Sequence, residues 1–248
     1  MTETYAAGTP SWVDLGTQDV ATSAAFYTGL FGWTYQAFGE DMGNYGMFFQ
    51  DGKQVAGIGP GTDSGWTTYF AVDDVDAVAA LVEANGGSIE APPLDVGEEG
   101  RMAVFVDPAG ARWAVWQAGN HTGAQVVNEP VSLGWSDLAS TDLDAAKRFY
   151  PAVLGVATRD VEMGPGAAYT LFEVAGQPVA GAAAGESSMW NVYFDVADCN
   201  AVVAAAVAAG AKVVSEPVDI PAGRLATLAD PMGSEFAVSQ PNPDMDIS

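Results

Sequence analysis

Ser11-Trp-Val-Asp-Leu-Gly-Thr-Gln-Asp19 returns 123 positions later as Gly134-Trp-Ser-Asp-Leu-Ala-Ser-Thr-Asp142. Trp12, Asp14, Leu15 and Asp19 fall on Trp135, Asp137, Leu138 and Asp142. At the same offset Phe26-Tyr27 and Gly32 fall on Phe149-Tyr150 and Gly155. One extra residue in the second half then moves the offset to 124. Val55-Ala56-Gly57, Trp66, Tyr69-Phe70 and Asp74 meet Val179-Ala180-Gly181, Trp190, Tyr193-Phe194 and Asp198, and Pro93-x-Asp95 meets Pro217-x-Asp219. The offset returns to 123 for Arg101, Asp107-Pro108 and Gly110, which meet Arg224, Asp230-Pro231 and Gly233. A register held over about a hundred residues marks one unit written twice. The first copy reads as residues 1–118, a linker containing Gly, Asn and Pro as 119–131, and the second copy as 132–248.

Each copy predicts the same elements. Trp12–Leu15 alternates as an opening strand, and Asp19 caps a helix that carries Phe26, Tyr27 and Phe31 and stops at Gly32. Two short strands around Tyr45–Gln50 and Gln54–Ile58 flank an Asp51-Gly52 hairpin turn. Trp66–Val72 is a further strand, and Asp74 caps a second helix that ends at Gly86-Gly87. Arg101–Val106 and Arg112–Trp116 are strands around the turn Asp107-Pro-Ala-Gly110. The order in each half is β-α-β-β followed by β-α-β-β, with room for one further strand at the end.

Composition narrows the function. The 248 residues are 49% apolar and 16% charged, enough for packed cores and too apolar for a disordered chain. No apolar run reaches the roughly 18–20 residues of a membrane span. With 8 Lys+Arg against 32 Asp+Glu the formal net charge is −24, which repels nucleic acid and anionic membrane surfaces. Cys199 is the only cysteine, so neither a disulfide within the chain nor a thiolate metal cluster can form. Met1–Gly8 shows neither a basic nor an apolar targeting stretch, the pattern of a cytoplasmic protein.

The run Asp19-x3-Ser23-x2-Phe26-Tyr27-x4-Phe31-Gly32, then Val72-Asp73-Asp74 and Asp107-Pro108-x-Gly110, resembles the vicinal oxygen chelate superfamily. That superfamily holds glyoxalases, extradiol dioxygenases and bleomycin resistance proteins. The tandem arrangement is similar to two-module glyoxalase-like proteins of actinobacteria. The resemblance implies an α+β fold: four βαβββ modules, two per half, forming curved mixed sheets that cup a cavity. In metal-using members, ligands come from the opening strand, from the strand that begins the second module, and from a Glu after the Asp-Pro-x-Gly turn. Those positions fall here on Trp12 and Trp135, on Thr67 and Asn191, and on Ala114 and Ala237. None is a credible ligand, and the lone His121 sits in the linker. No metal and no cofactor is expected.

Strand alternation then names the cavity lining. Trp12 and Asp14 share one face of the opening strand, as do Trp135 and Asp137 in the second copy. Thr67 and Tyr69 face the same way, matched by Asn191, Tyr193 and Asp195. Arg112 and Trp116 follow, and the hairpin strands offer Tyr45, Met47 and Phe49, or Tyr169 and Glu173. Arg101 and Arg224 are expected to neutralise Asp14 and Asp137. Aromatic rings with a few polar groups suit a flat, largely apolar ligand. The two opening tryptophans equally suit plain packing.

Two main readings follow. One is a metal-independent binder that sequesters a hydrophobic or aromatic natural product or antibiotic, similar to the bleomycin- and mitomycin-binding branch. The other is a cofactor-free lyase, isomerase or cyclase in natural-product biosynthesis, with Asp14 or Asp137 as general base. A third, weaker one is a metal-dependent glyoxalase-like enzyme using other carboxylates. The expected partner is a small molecule, and a dozen-residue linker reaches about 40 Å when extended, enough for the halves to pair within a monomer.

Overall fold

The computed structural model describes residues 5–40, 43–62, 65–162 and 168–244. The first half runs β1 (Pro10–Thr17), α1 (Val20–Phe31), β2 (Thr34–Ala37), β3 (Gly46–Gln50), β4 (Lys53–Pro60), β5 (Gly65–Ala71), α2 (Val75–Ala84), β6 (Ser88–Val96), β7 (Gly100–Val106) and β8 (Arg112–Ala118). The second repeats it as β9 (Leu133–Ser140), α3 (Leu143–Leu154), β10 (Ala157–Glu162), β11 (Ala168–Val174), β12 (Gln177–Ala184), β13 (Met189–Asp195), α4 (Cys199–Ala208), β14 (Lys212–Ile220), β15 (Gly223–Ala229) and β16 (Glu235–Pro241). Each half is thus two βαβββ modules sharing one eight-stranded mixed sheet. The orders are β2-β3-β4-β1-β5-β8-β7-β6 and β10-β11-β12-β9-β13-β16-β15-β14. The sheets are not closed on themselves.

The local chemistry behind these elements is simple. Asp19, Asp74, Asp142 and Asp198 each accept a backbone N–H of the first helical turn, which starts each of the four described α-helices. Gly32 and Gly155 end α1 and α3 in the left-handed conformation that a side chain disfavours. Asp51 and Gly52, both at positive φ, make the tight turn between β3 and β4. Two strands per half escape the sequence pattern. β2 is four mostly exposed residues at one sheet edge, and β6 is an edge strand that contains Pro92-Pro93 and two register shifts. An edge buries little, so it demands few strongly apolar residues, and paired prolines argue against a strand. No described helix is long and apolar enough to cross a membrane.

The halves pack crosswise. Phe26, Tyr27 and Phe31 of α1 join Val192 and Phe194 of β13 and Phe236 of β16 in one core. Phe149 and Tyr150 of α3 join Phe70, Trp113 and Val82 of the first half in the other. At the centre of each core the repeated motif residues bond across the halves. Trp66 donates its indole N–H to Tyr27 at 2.9 Å, and the Tyr27 hydroxyl donates to Asp230 at 3.2 Å. Trp190 donates to Tyr150 at 2.9 Å, and Tyr150 donates to Asp107 at 3.0 Å. The other oxygen of each aspartate accepts two backbone N–H groups of its own Asp-Pro-x-Gly turn.

Removing either hydroxyl strands a buried indole N–H and a buried carboxylate oxygen at once. Tyr27→Phe and Tyr150→Phe should each cost about 1–3 kcal/mol, which in a chain this size lowers Tm by several degrees. Thermal unfolding measures it, and an unchanged Tm in both variants would contradict the clamp.

Candidate active site

The helix-free face of each sheet carries a second repeated unit. β1 lies between β4, which it pairs in parallel, and β5, which it pairs antiparallel, so Asp14 sits between Gly57 and Thr67. A Cβ at Gly57 would collide with the Tyr45 hydroxyl, so the glycine is what lets that ring cross β4 and reach Asp14. Trp12 donates its indole N–H to the Tyr45 hydroxyl at 3.2 Å, and the Tyr45 hydroxyl is bonded in turn to Asp14. From the other side the Tyr69 hydroxyl donates to Asp14 Oδ2 at 2.9 Å. The second half repeats the chain: Trp135 donates to Tyr169 at 2.8 Å, Tyr169 donates to Asp137 at 2.8 Å, and Gly181 takes the place of Gly57.

Burial sets the electrostatics. It raises Asp14 to about 6, against the hydrogen bond from Tyr69, the Arg112 charge and the hydrogen bond from Tyr45. It raises Asp137 to about 6 as well, opposed by Tyr169. Burial and the neighbouring carboxylate together hold Tyr45 and Tyr69 well above the ordinary phenol range, so both stay hydrogen-bond donors at any working pH.

Two cavities open along this face of the first half. One, of about 610 Å³, is lined by Asp14, Thr67, Glu90 and Arg112 among others. The other, of about 520 Å³, is lined by Trp12, Phe38, Met47, Trp116 and His121 among others. Asp14, Tyr45, Tyr69 and Met102 border both, so the aspartate-tyrosine unit is the wall between a polar compartment and an aromatic one.

Thr67 accepts a hydrogen bond from Arg112, whose Nε donates to Glu90 at 2.7 Å. Asn191 reaches the Asp137 backbone carbonyl at 3.4 Å. Tyr193 is pushed up by burial and by Asp137 beside it. Asp195 packs where a Cβ at Gly134 would stand, bonds Ser239, and is raised to about 6 by burial. Glu173 is held by Arg159 at 2.6 Å. Phe49 lies past the register shift between Phe48 and Phe49 and lines neither cavity.

Arg101 and Arg224 require a correction, because neither neutralises a buried aspartate. Met102 and Val104 of β7 line the larger cavity, so Arg101 points to the opposite, helix-covered face. There it pairs with Asp76 of α2 at 3.0 Å and with Asp95 across the hairpin at 2.8 Å. Arg224 likewise bonds Asn200 of α4 and Asp219. The cation facing Asp14 is Arg112. Cys199 is buried at the start of α4, and burial pushes its thiol up, the reverse of activation.

His121 is the residue that sequence reasoning missed. The linker is fastened along the first sheet: Ala124 N–H donates to the Ser11 carbonyl at 2.8 Å and Gln125 N–H to the Gln54 carbonyl at 2.7 Å. That course carries His121 into the aromatic compartment. Nothing in the local sequence signals it.

The positions from which superfamily members hold a metal do not fit one here. The Trp12 indole is a donor already committed to Tyr45, Thr67 is bonded to Arg112, and Ala114 offers a methyl group. Among the described residues no three His, Cys, Asp or Glu side chains are grouped to hold an ion.

Comparison with known proteins agrees with this architecture. Residues 9–115 match the model of the Glyoxalase/Bleomycin resistance protein/Dioxygenase superfamily, and residues 136–239 match that of a glyoxalase-like domain. The anthracycline biosynthesis protein DnrV of Streptomyces peucetius is 43% identical over 258 aligned positions, covering 94% of each chain. CFP32 of Mycobacterium bovis, which carries a glyoxylase designation, is 42% identical over 96% of this chain and 97% of its own. Among solved structures, a Mn(II)-bound glyoxalase from Novosphingobium aromaticivorans superposes with a TM-score of 0.65 at 19% identity, over 96% of this chain and 88% of that one. An extradiol ring-cleaving dioxygenase from B. fuscum gives 0.68 at 15% identity, over 98% and 76%. At these identities the two structures speak for the fold alone.

The raised carboxyls carry a pH signature. An acid whose folded pKa lies above its unfolded value near 3.9 binds protons that the unfolded chain has already released. Its stabilisation is therefore largest at low pH and is lost as pH rises from about 4 through about 6. His121, lowered to about 4 by burial, acts with the opposite sign, so the readout is a difference between variants. The gain in Tm between about pH 7.5 and about pH 5.5 should be smaller in Asp14→Asn than in the unaltered chain by about 2–4 °C. Identical pH responses would mean that Asp14 is not raised.

Proposed function

The chain belongs to the glyoxalase/bleomycin resistance/dioxygenase superfamily, and we propose that it is a metal-independent member that binds a hydrophobic or aromatic natural product. The observation that carries this reading is the replacement of the metal-ligand positions by Trp12, Thr67 and Ala114 beside a cavity walled by Trp12, Phe38, Met47 and Trp116. A compartment of about 520 Å³ falls in the range of small-molecule sites. The name of the relative DnrV, an anthracycline biosynthesis protein, supports a polycyclic aromatic compound as the ligand class.

A specific observation also favours conversion of the bound molecule. Asp14 is held near pKa 6 between two hydroxyl donors and opens to both compartments, which is the protonation balance of a general base. In that case Asp14 takes a proton from an acidic C–H or O–H of the ligand. Arg112, across the larger cavity, stabilises the anion left behind. Both readings use the same cleft and call on no metal.

Titration of tryptophan fluorescence with aromatic polyketides, in EDTA and again with added manganese or zinc, separates the outcomes. The binder reading predicts unchanged affinity in EDTA, a loss of about tenfold or more in Trp12→Ala, and only a few-fold loss in Asp14→Ala. Turnover that persists in EDTA and vanishes in Asp14→Asn would establish the enzyme instead. Binding or turnover that depends on added metal would overturn both.

A further inference from the structure

The aromatic compartment is lined by a residue that neither reading above employs. His121 is 5% exposed and lines this cavity. Its ring lies edge-on to Trp12, with centroids 4.5 Å apart, and to Trp116 at 5.5 Å. The backbone is pinned as well: His121 N–H donates to the Glu99 carbonyl at 3.1 Å, and Trp116 donates its indole N–H to the His121 carbonyl at 2.8 Å. Nδ1 faces the Gln54 side-chain oxygen at 3.1 Å, which places the ring proton on Nδ1. Nε2 is then a lone-pair acceptor, and it is buried without a hydrogen-bond partner.

The indole and phenol donors around it are already committed. The Trp12 indole serves Tyr45, the Trp116 indole serves the His121 carbonyl, and the Tyr69 hydroxyl serves Asp14. A buried acceptor left unpaired is costly, so a ligand that brings a donor recovers what the free protein forgoes. The charge around the site selects the kind of donor. Asp14 and Glu99 also line the compartment, and burial keeps His121 neutral, so an anionic group is repelled and finds no cation among the described lining residues.

We propose that this compartment is a subsite for a flat aromatic ring bearing a neutral hydroxyl group, which donates its hydrogen bond to Nε2 of His121 while the ring packs against Trp12, Phe38 and Trp116. The inference rests on the cleft being a small-molecule site. It adds a specificity rule: a hydroxylated ring is preferred over the bare ring and over the ring carboxylate.

The chain has one histidine, which makes the test direct. Protein labelled with ¹⁵N-histidine is titrated at neutral pH with 2-naphthol, naphthalene and 2-naphthoate, following both affinity and the two imidazole nitrogens. In the free protein Nε2 should give the signal of an unprotonated nitrogen. 2-Naphthol should shift that signal toward the protonated range and bind about tenfold tighter than naphthalene, with 2-naphthoate weakest. His121→Phe should abolish the preference, so that 2-naphthol and naphthalene bind that variant with equal affinity. Equal affinities with an unmoved Nε2 signal would overturn the subsite while the cleft reading stands, and tighter binding of 2-naphthoate would overturn it too. Failure of all three to bind would remove the cleft reading together with it. The NMR arm uses the unaltered chain, so a poorly folded variant does not decide the result.

Discussion

Two buried tyrosine-to-aspartate hydrogen bonds fix how the halves of this chain meet. Tyr27 reaches Asp230 and Tyr150 reaches Asp107, each with a tryptophan indole donating to the same phenol oxygen. Both phenols are fully buried, so neither bond can be exchanged for water without opening a core. Because the two bonds are reciprocal, α1 must lie against the second half and α3 against the first. The helices and cores are consumed by this contact. What remains available for a ligand is the opposite, helix-free face of each sheet.

On that face duplication has placed the same tryptophan-tyrosine-aspartate chain twice, and the surroundings give the copies different chemistry. The first copy has Arg112 over Asp14 and His121 delivered by the linker. The second has Asn191 at the Thr67 position, together with Asp195 and an Arg159–Glu173 pair. The shared feature is a carboxylate that burial has made a weaker acid and that tyrosine hydroxyls keep in place. It lies at the centre of the helix-free face, and among the described residues it joins no group of three side chains that could hold an ion.

Much of this was legible in the sequence, for identifiable reasons. The duplication, the four aspartate caps and the central strands are visible because burial on defined faces and capping chemistry leave periodic marks. Trp66 and Trp190, matched across the repeat, anchor Tyr27 and Tyr150 through their indole N–H groups. The edge strands β2 and β6 left little mark, because β2 is four mostly exposed residues and Pro92-Pro93 in β6 argue against a strand. Arg101 was assigned to the wrong face, although the sequence held the clue. Arg101 and Asp95 recur together as Arg224 and Asp219, the mark of an ion pair closing the hairpin. His121 was out of reach, because its place depends on backbone bonds between the linker and β1 and β4, which no side-chain pattern encodes.

The central claim is that this cleft holds an aromatic small molecule without an ion. Native mass spectrometry of the protein isolated from its own source, with metal analysis of the same sample, tests it most directly. The account predicts an aromatic compound bound to the chain and far less than one metal ion per chain. Stoichiometric zinc, iron, manganese or nickel would contradict it, and would make ligands of carboxylates that are assigned here to hydrogen bonds.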